Sequence, residues 1–181
     1  CAEIAAEIER NLDFLATPAR NVPERHRTMR AVFDHSWALL APDEQQALRR
    51  LAVFRGGFGR ALAAPVAGAT LLQLASLVDK SLLHRSQEEA PSSSGRFELH
   101  ERVRQYAYRK LHDADEADIV RDRHLQAMVT LATTAEGKLF GAAQPAALAE
   151  LHAEQSNLHT ALEWGLRSEE TPTDASAHAA V

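Results

Sequence analysis

One cysteine, Cys1, stands in 181 residues, so no disulfide can staple the chain internally. That usage fits a reducing, cytoplasmic compartment. Aromatic residues are scarce at 6%, and a core must rest mainly on aliphatic side chains. No apolar run approaches the ~20 residues a membrane span requires. No basic start followed by an apolar middle marks a leader for export. A basic excess is also missing. The net charge is -5, whereas a dedicated nucleic-acid binder usually carries clear positive charge, because phosphate contacts dominate its affinity. Arg20, Arg25, Arg27 and Arg30 form one basic cluster, and Arg102, Arg104, Arg109 and Lys110 another. Each is interleaved with acids or apolar residues and reads as a solvated face.

Catalytic signatures are equally thin. His100-Glu101-Arg102-Val103-Arg104 lacks the second histidine of a zinc-protease HExxH motif. There is no GxSxG nucleophile elbow and no GxxxxGK[ST] phosphate loop. Gly56-Gly57-Phe58-Gly59 has no Lys-Ser or Lys-Thr behind it, and turn chemistry accounts for it. His152 and His159 lie two helical turns apart, too far to share a metal easily. Cys1 has no partner base. The expectation is a chain with no enzymatic activity, no metal site and no cofactor of its own.

What is present is helical periodicity. Ile4, Ile8, Leu12 and Leu15 predict a leading helix over 3–15. Thr17-Pro18 and Asn21-Val22-Pro23 break it. Met29, Val32, Phe33, Trp37 and Leu40 predict a helix over 28–40. Ala41-Pro42-Asp43-Glu44 restarts a helix, since proline suits a first turn and acids favour the positive end of the dipole. That helix carries Leu48, Leu51, Ala52 and Phe54, and Gly56-Gly57 stops it. Short helices follow over 60–67 and, capped by Thr70, over 71–79. Leu82 to Arg85 and Arg96 to Leu99 read as two strands around a polar loop with one proline and three serines, a long hairpin. A helix over 100–113 buries Val103, Tyr106, Ala107 and Leu111. A longer one carries Ile119, Val120, Leu125, Met128, Leu131 and Ala135. A last helix over 146–166 carries Leu148, Leu151, Leu158, Leu162 and Leu166. Trp37, Phe33, Phe54 and Trp164 read as core.

Helices followed by a β-hairpin describe a winged helix. The expected architecture is mainly α: a leading helix or linker over 1–20, a winged-helix domain over 21–113, an antiparallel helical extension over 114–168, and a polar tail over 169–181 where order ends. The chain opens CAEIAAEIER, without an initiator Met, and a longer parent protein is expected.

A winged helix usually reads DNA with the helix before its wing, which must show polar or basic side chains to the major groove. Here that stretch is TLLQLASLVDKSLL, from Thr70 to Leu83. Leu71, Leu72, Leu74, Leu77 and Val78 crowd it, and Asp79 would repel phosphate. Direct DNA binding is not expected of it.

Several stretches together resemble a known family. VPERHRTMRAVFDHSWALLAPDEQQALRRLAVFRGGF, from Val22, resembles the segment after the nucleotide-binding core of bacterial NB-ARC (STAND) signal-transduction ATPases. LLQLASLVDKSLL and RFELHERVRQYAYRKL are similar to their winged helix, and ELHAEQSNLHTALEWGL, from Glu150, to the lead into their tetratricopeptide-like repeats. The resemblance spans about Ala2 to Arg167. It implies a multidomain transcriptional regulator whose winged helix closes over ADP as a lid, with ATP or ADP and Mg in a domain outside this chain. The implied partners are that nucleotide-binding domain and downstream helical repeats. The family's Met-His-Asp motif aligns with Leu99, His100 and Glu101, so His100 would contact the ADP phosphate. A helix N-terminus suits an anion through its free N–H groups. Read from the residues alone, His100 equally caps the helix.

Overall fold

The computed structural model describes residues 29–86 and 95–169. The leading helix, the wing tip and the polar tail expected from the sequence lie outside them.

Helix α1, Met29–Ala38, offers only one half-buried face. Phe33 and Trp37 on it close on the Tyr106 ring at 5.6 and 6.0 Å between centroids. Helix α2, Pro42–Leu51, begins as the sequence predicts. Pro42 occupies its first turn, and the Glu44 carboxylate reaches back to accept from the Ala41 N–H at 2.9 Å, satisfying an orphan donor. Its buried face is Ala47, Leu48 and Leu51.

Here the structure departs from the sequence reading. The helix ends at Leu51, not at Phe54. The chain leaves it early and turns through Gly56 and Gly57, at φ +68° and +83°, a region that favours glycine. A Cβ on Gly57 would stand 3.0 Å from the Phe97 carbonyl oxygen. The early exit folds Phe54 back onto Phe58, their rings stacked at 4.5 Å. It also produces a strand the sequence did not announce, β1, Phe58–Gly59.

Helix α3, Arg60–Ala67, stops at Gly68 in the left-handed conformation. Helix α4, Leu71–Asp79, starts with Thr70 accepting from the Gln73 N–H while Gln73 reaches back to the Thr70 N–H. Strands β2, His84–Arg85, and β3, Arg96–Glu98, then form the base of the wing. The sheet is antiparallel with order β1-β3-β2. Phe58 pairs with Phe97, and His84 with Glu98. Helix α5, Glu101–Asp113, leaves the wing and buries Val103, Tyr106, Ala107 and Leu111, as expected from their spacing. This order, two helices between a first strand and a hairpin, is a winged helix.

The extension begins with helix α6, Ala117–Glu136. The single helix expected over 146–166 is two: α7, Gln144–Ala153, and α8, Gln155–Glu169, broken at Glu154. Leu148, Leu162 and Leu166 are exposed, as is Ile119. They are not core, and α8 instead buries Asn157 and Ala161. The break turns Glu154 and Asn157 inward, which an uninterrupted leucine stripe would not have done. A single apolar cluster runs from Leu40 through the winged helix to Met128 and Ala161. No helix among the described residues is by itself long and apolar enough to cross a membrane.

Candidate functional site

Three surfaces or joints bear on function: the outer face of α4, the start of α5, and the junction between the wing base and the extension.

The α4 helix buries Leu74 and Leu77 against the core. Its outer face shows Leu71, Leu72, Ala75 and Asp79, with Leu72 at 83% exposure. The one cation at this helix end, Lys80, is tied to both carboxylate oxygens of Glu44 at 2.5 and 2.6 Å. Ser76 donates to the same carboxylate, and Gln73 to Asp43. Three contacts and the lysine charge hold Glu44 well below the usual carboxylate range, at about 2. The helix therefore presents leucine and acid, and its cation is tied up in an ion pair with Glu44. The structure buries only one side and leaves Leu71 and Leu72 in the open.

His100 is the N-cap of α5, as one of its two sequence readings had it. Its Nδ1 accepts from the Arg102 N–H at 3.3 Å. An accepting Nδ1 leaves the proton of the neutral ring on Nε2, so the outward nitrogen is a donor. The ring is exposed. It lines a cleft of about 320 Å³ with His84, Glu98, Leu99, Glu101, Arg104 and the glycine turn. In the cluster of Arg102, Arg104, Arg109 and Lys110 assigned to a solvated face, Arg104 is buried, a correction. Its guanidinium forks onto Glu101 at 2.7 and 2.8 Å and reaches the Ala52 carbonyl at 3.4 Å. The charge expected to be solvated instead locks the start of α5 to the end of α2. Arg104, with Gln105, holds Glu101 below its ordinary range. The cleft can offer a phosphate the rings of His84 and His100, with Glu98 and Glu101 beside them opposing.

The third feature was missed by sequence reasoning. Asn157 is fully buried and bridges two parts of the chain: it accepts from the Arg55 N–H at 2.7 Å and donates to the Gly57 carbonyl at 2.8 Å and to Glu154 at 2.6 Å. Glu154, also buried, receives Arg96 from the wing base, and Arg96 donates again to the Ala153 carbonyl at 2.9 Å. His124 of α6 is buried beside them, edge-on to Phe54 at 5.3 Å. Burial pushes its pKa down from 6.5 to about 4, and Asn157 partly opposes this. Its Nε2 finds no partner among the described residues, which a neutral ring tolerates better than a charged one. A second tie lies at the start of α6, where Glu116 takes both Arg49 and Arg50 of α2 at 2.9 Å. Nothing in the spacing of Glu154 and Asn157 distinguishes them from surface residues of a long helix. Only the break between α7 and α8 turns them inward.

Among the described residues, no three histidines, cysteines or acids come together to hold a metal. His152 and His159 are both exposed, and His159 faces Glu163 at 3.2 Å.

Residues 40–112 match the winged helix-turn-helix domain family. The chain is 37% identical over 172 residues, 90% of its length, to two relatives named "Putative HTH-type transcriptional regulator", Rv0890c of Mycobacterium tuberculosis and Mb0914c of Mycobacterium bovis. It spans about a fifth, 19%, of each of them. It is also 35% identical over 130 residues, 67% of its length, to the uncharacterized protein Rv0894 of Mycobacterium tuberculosis, covering 32% of that protein. No solved structure matches significantly. The winged helix and the likeness to transcriptional regulators are thus shown. The NB-ARC resemblance finds no counterpart in these matches.

Proposed function

We propose that this chain is the winged-helix module of a longer transcriptional regulator, and that its α4 face meets protein instead of DNA. The observation that carries this is the outer face of α4: Leu71, Leu72, Ala75 and Asp79, with Lys80 bound to Glu44. A major-groove reader needs donors, acceptors and cations there. The sequence between β2 and β3, over 87–94, adds Glu88 and Glu89 and no cation, which is poor for phosphate contact.

In the finer form of this reading, the partner is a nucleotide-binding domain of the same longer protein, and the module closes over ADP as a lid. His100, with an outward Nε2 donor at a helix N-terminus, supports a phosphate contact. The test is to purify the longer protein with and without His100→Ala, denature both and measure ADP released per chain. Near-stoichiometric ADP in the parent and its loss in the variant is the expected result. Equal ADP in both removes His100 from the nucleotide, and no ADP in either removes the lid.

DNA reading by the module is the second proposal, favoured by the winged helix-turn-helix match and by the name of the relatives. Fluorescence anisotropy with duplex DNA at stepped salt decides between the two. An affinity falling steeply and linearly in log–log form with salt would establish DNA contact and displace the protein-docking reading.

A further inference from the structure

A second cavity, of about 600 Å³, lies away from the His100 cleft, between α3, α6 and α7. Its origin is legible in side-chain size. Helix α7 turns Ala146, Ala149 and Ala153 toward it, and α6 answers with Ala127, Thr130, Leu131 and Thr134. Where two helices meet α3 over alanines, the space that leucines would fill stays open. Leu62 and Pro65 of α3 complete an apolar wall. The hydroxyls of Thr130 and Thr134 donate to carbonyls one turn back in their own helix, so these threonines turn little polarity into the cavity.

The charges around it are unequal. Arg96 and Glu154 neutralise each other at one side. Arg60 and Arg123 also line the cavity, both exposed, and neither pairs with any described residue. Glu150 is the one unpaired acid on the wall among the described residues. Two unpaired arginines beside an apolar hollow, in a chain of net charge -5, call for an explanation. A volume of this size falls within the roughly 300–1,000 Å³ of small-molecule sites.

We propose that this cavity binds a small amphipathic anion: an aromatic or aliphatic body against the alanine and leucine walls, with its acid group held by Arg60 and Arg123. This goes beyond the proposed function and holds whether α4 meets protein or DNA. The site adjoins Arg96 and Glu154, so an occupant would lie against the same residues that join the wing base to the extension.

The probe is 8-anilinonaphthalene-1-sulfonate, titrated into the full chain by fluorescence, beside its uncharged relative N-phenyl-1-naphthylamine. One saturable site per chain is expected for both. Joint replacement Arg60→Ala and Arg123→Ala should weaken the sulfonate about fivefold, as partly screened charge pairs allow, and leave the neutral probe within about twofold. Ala149→Trp, which fills the hollow, should weaken both by about tenfold or more. Thr130→Tyr, from the opposite wall, repeats that test if the first variant does not fold. Non-saturating binding, or an arginine variant that binds the sulfonate like the parent, overturns the proposal. So does retained affinity in the filled variants, because the probe then sits elsewhere.

Discussion

The winged helix and the helical extension are held together by different physics. Inside the winged helix, Leu48, Leu51, Phe54, Phe58, Leu74 and Leu77 are all almost completely buried, and their aliphatic and aromatic surfaces make one dry core. Where the extension meets it, that core continues through Val120, Met128 and Ala161, and polar groups are buried beside them: His124, Glu154 and Asn157. Apolar packing tolerates many near-equivalent arrangements. A buried amide with three partners tolerates one, since a lost bond leaves polar groups stranded. The contrast suggests that the core supplies stability and the polar junction fixes where α7 and α8 sit relative to the wing.

The strongest test of the dry half is Phe58→Ala. Phe58 is fully buried, between Phe54 and Phe97, at 4.5 and 6.0 Å between ring centroids. Its truncation should cost about 3–5 kcal/mol, read as a fall in the urea midpoint at constant slope. A loss under about 1 kcal/mol would mean that the aromatic stack is not the centre of the core.

Acid should act on the buried histidine before the two paired carboxylates. His124 has a folded pKa of about 4 against 6.5 ordinarily. A depressed histidine favours the neutral form when folded, so its contribution is complete above pH 6.5 and is lost as pH falls toward 4. That loss amounts to about 3 kcal/mol. Glu44 and Glu116, held at about 2 by Lys80 and by Arg49 with Arg50, contribute above their ordinary 4.5 and lose it only as pH falls from there toward 2. Urea midpoints measured from pH 7 to pH 3 should therefore fall in two stages, and His124→Leu should flatten the first alone. A parent midpoint that stays level between pH 6.5 and 4.5 would show that His124 is hydrated.

Next in size is Asn157→Ala. It strands the Arg55 N–H and the Gly57 carbonyl and removes a partner of Glu154, with an expected cost of about 2 kcal/mol. Hydrogen exchange should locate the damage: the Arg55 amide and the start of α8 should exchange faster, while the α2 amides keep their protection in proportion to global stability. Uniform acceleration would make the junction part of the same cooperative unit as the core.

The same division explains what could be read from the sequence. Helices α3 and α4 are found where their caps put them, because Gly68 and Thr70 are local signals that owe nothing to distant contacts. Helix α2 ends three residues before Phe54 because Phe54 has to reach Phe58 and His124, a demand made by tertiary packing. Strand β1 is two residues long, too short for alternation to register. The break at Glu154 hides inside a stretch with good helical propensity, and a leucine stripe over 146–166 does not show that Leu148, Leu162 and Leu166 face outward. His100 is legible as a helix cap because a strand running into a helix is a local pattern. The groups that join the two halves are not, since a buried amide looks like a surface one in sequence.

The smallest expected effect concerns those exposed leucines, and it asks what the extension is for. Helix α8 packs on α6 through Trp164, which donates to Asp122 at 2.8 Å and carries the Arg121 guanidinium over its ring at 4.7 Å. Leu162 and Leu166 lie at 61% and 62% exposure on its outer side. Within the 181-residue chain, Leu162→Ser should change stability by less than about 0.5 kcal/mol, because an exposed side chain has little burial to lose. In a longer protein whose next helices cover that side, the same change should cost about 2 kcal/mol, the worth of a buried leucine. The urea midpoint of parent and variant at both lengths measures the difference. An effect that grows with length identifies α8 as the inner face of a continuing helical array. An effect equally small at both lengths leaves the stripe open to solvent, and the extension would then end at α8 as a brace for the wing.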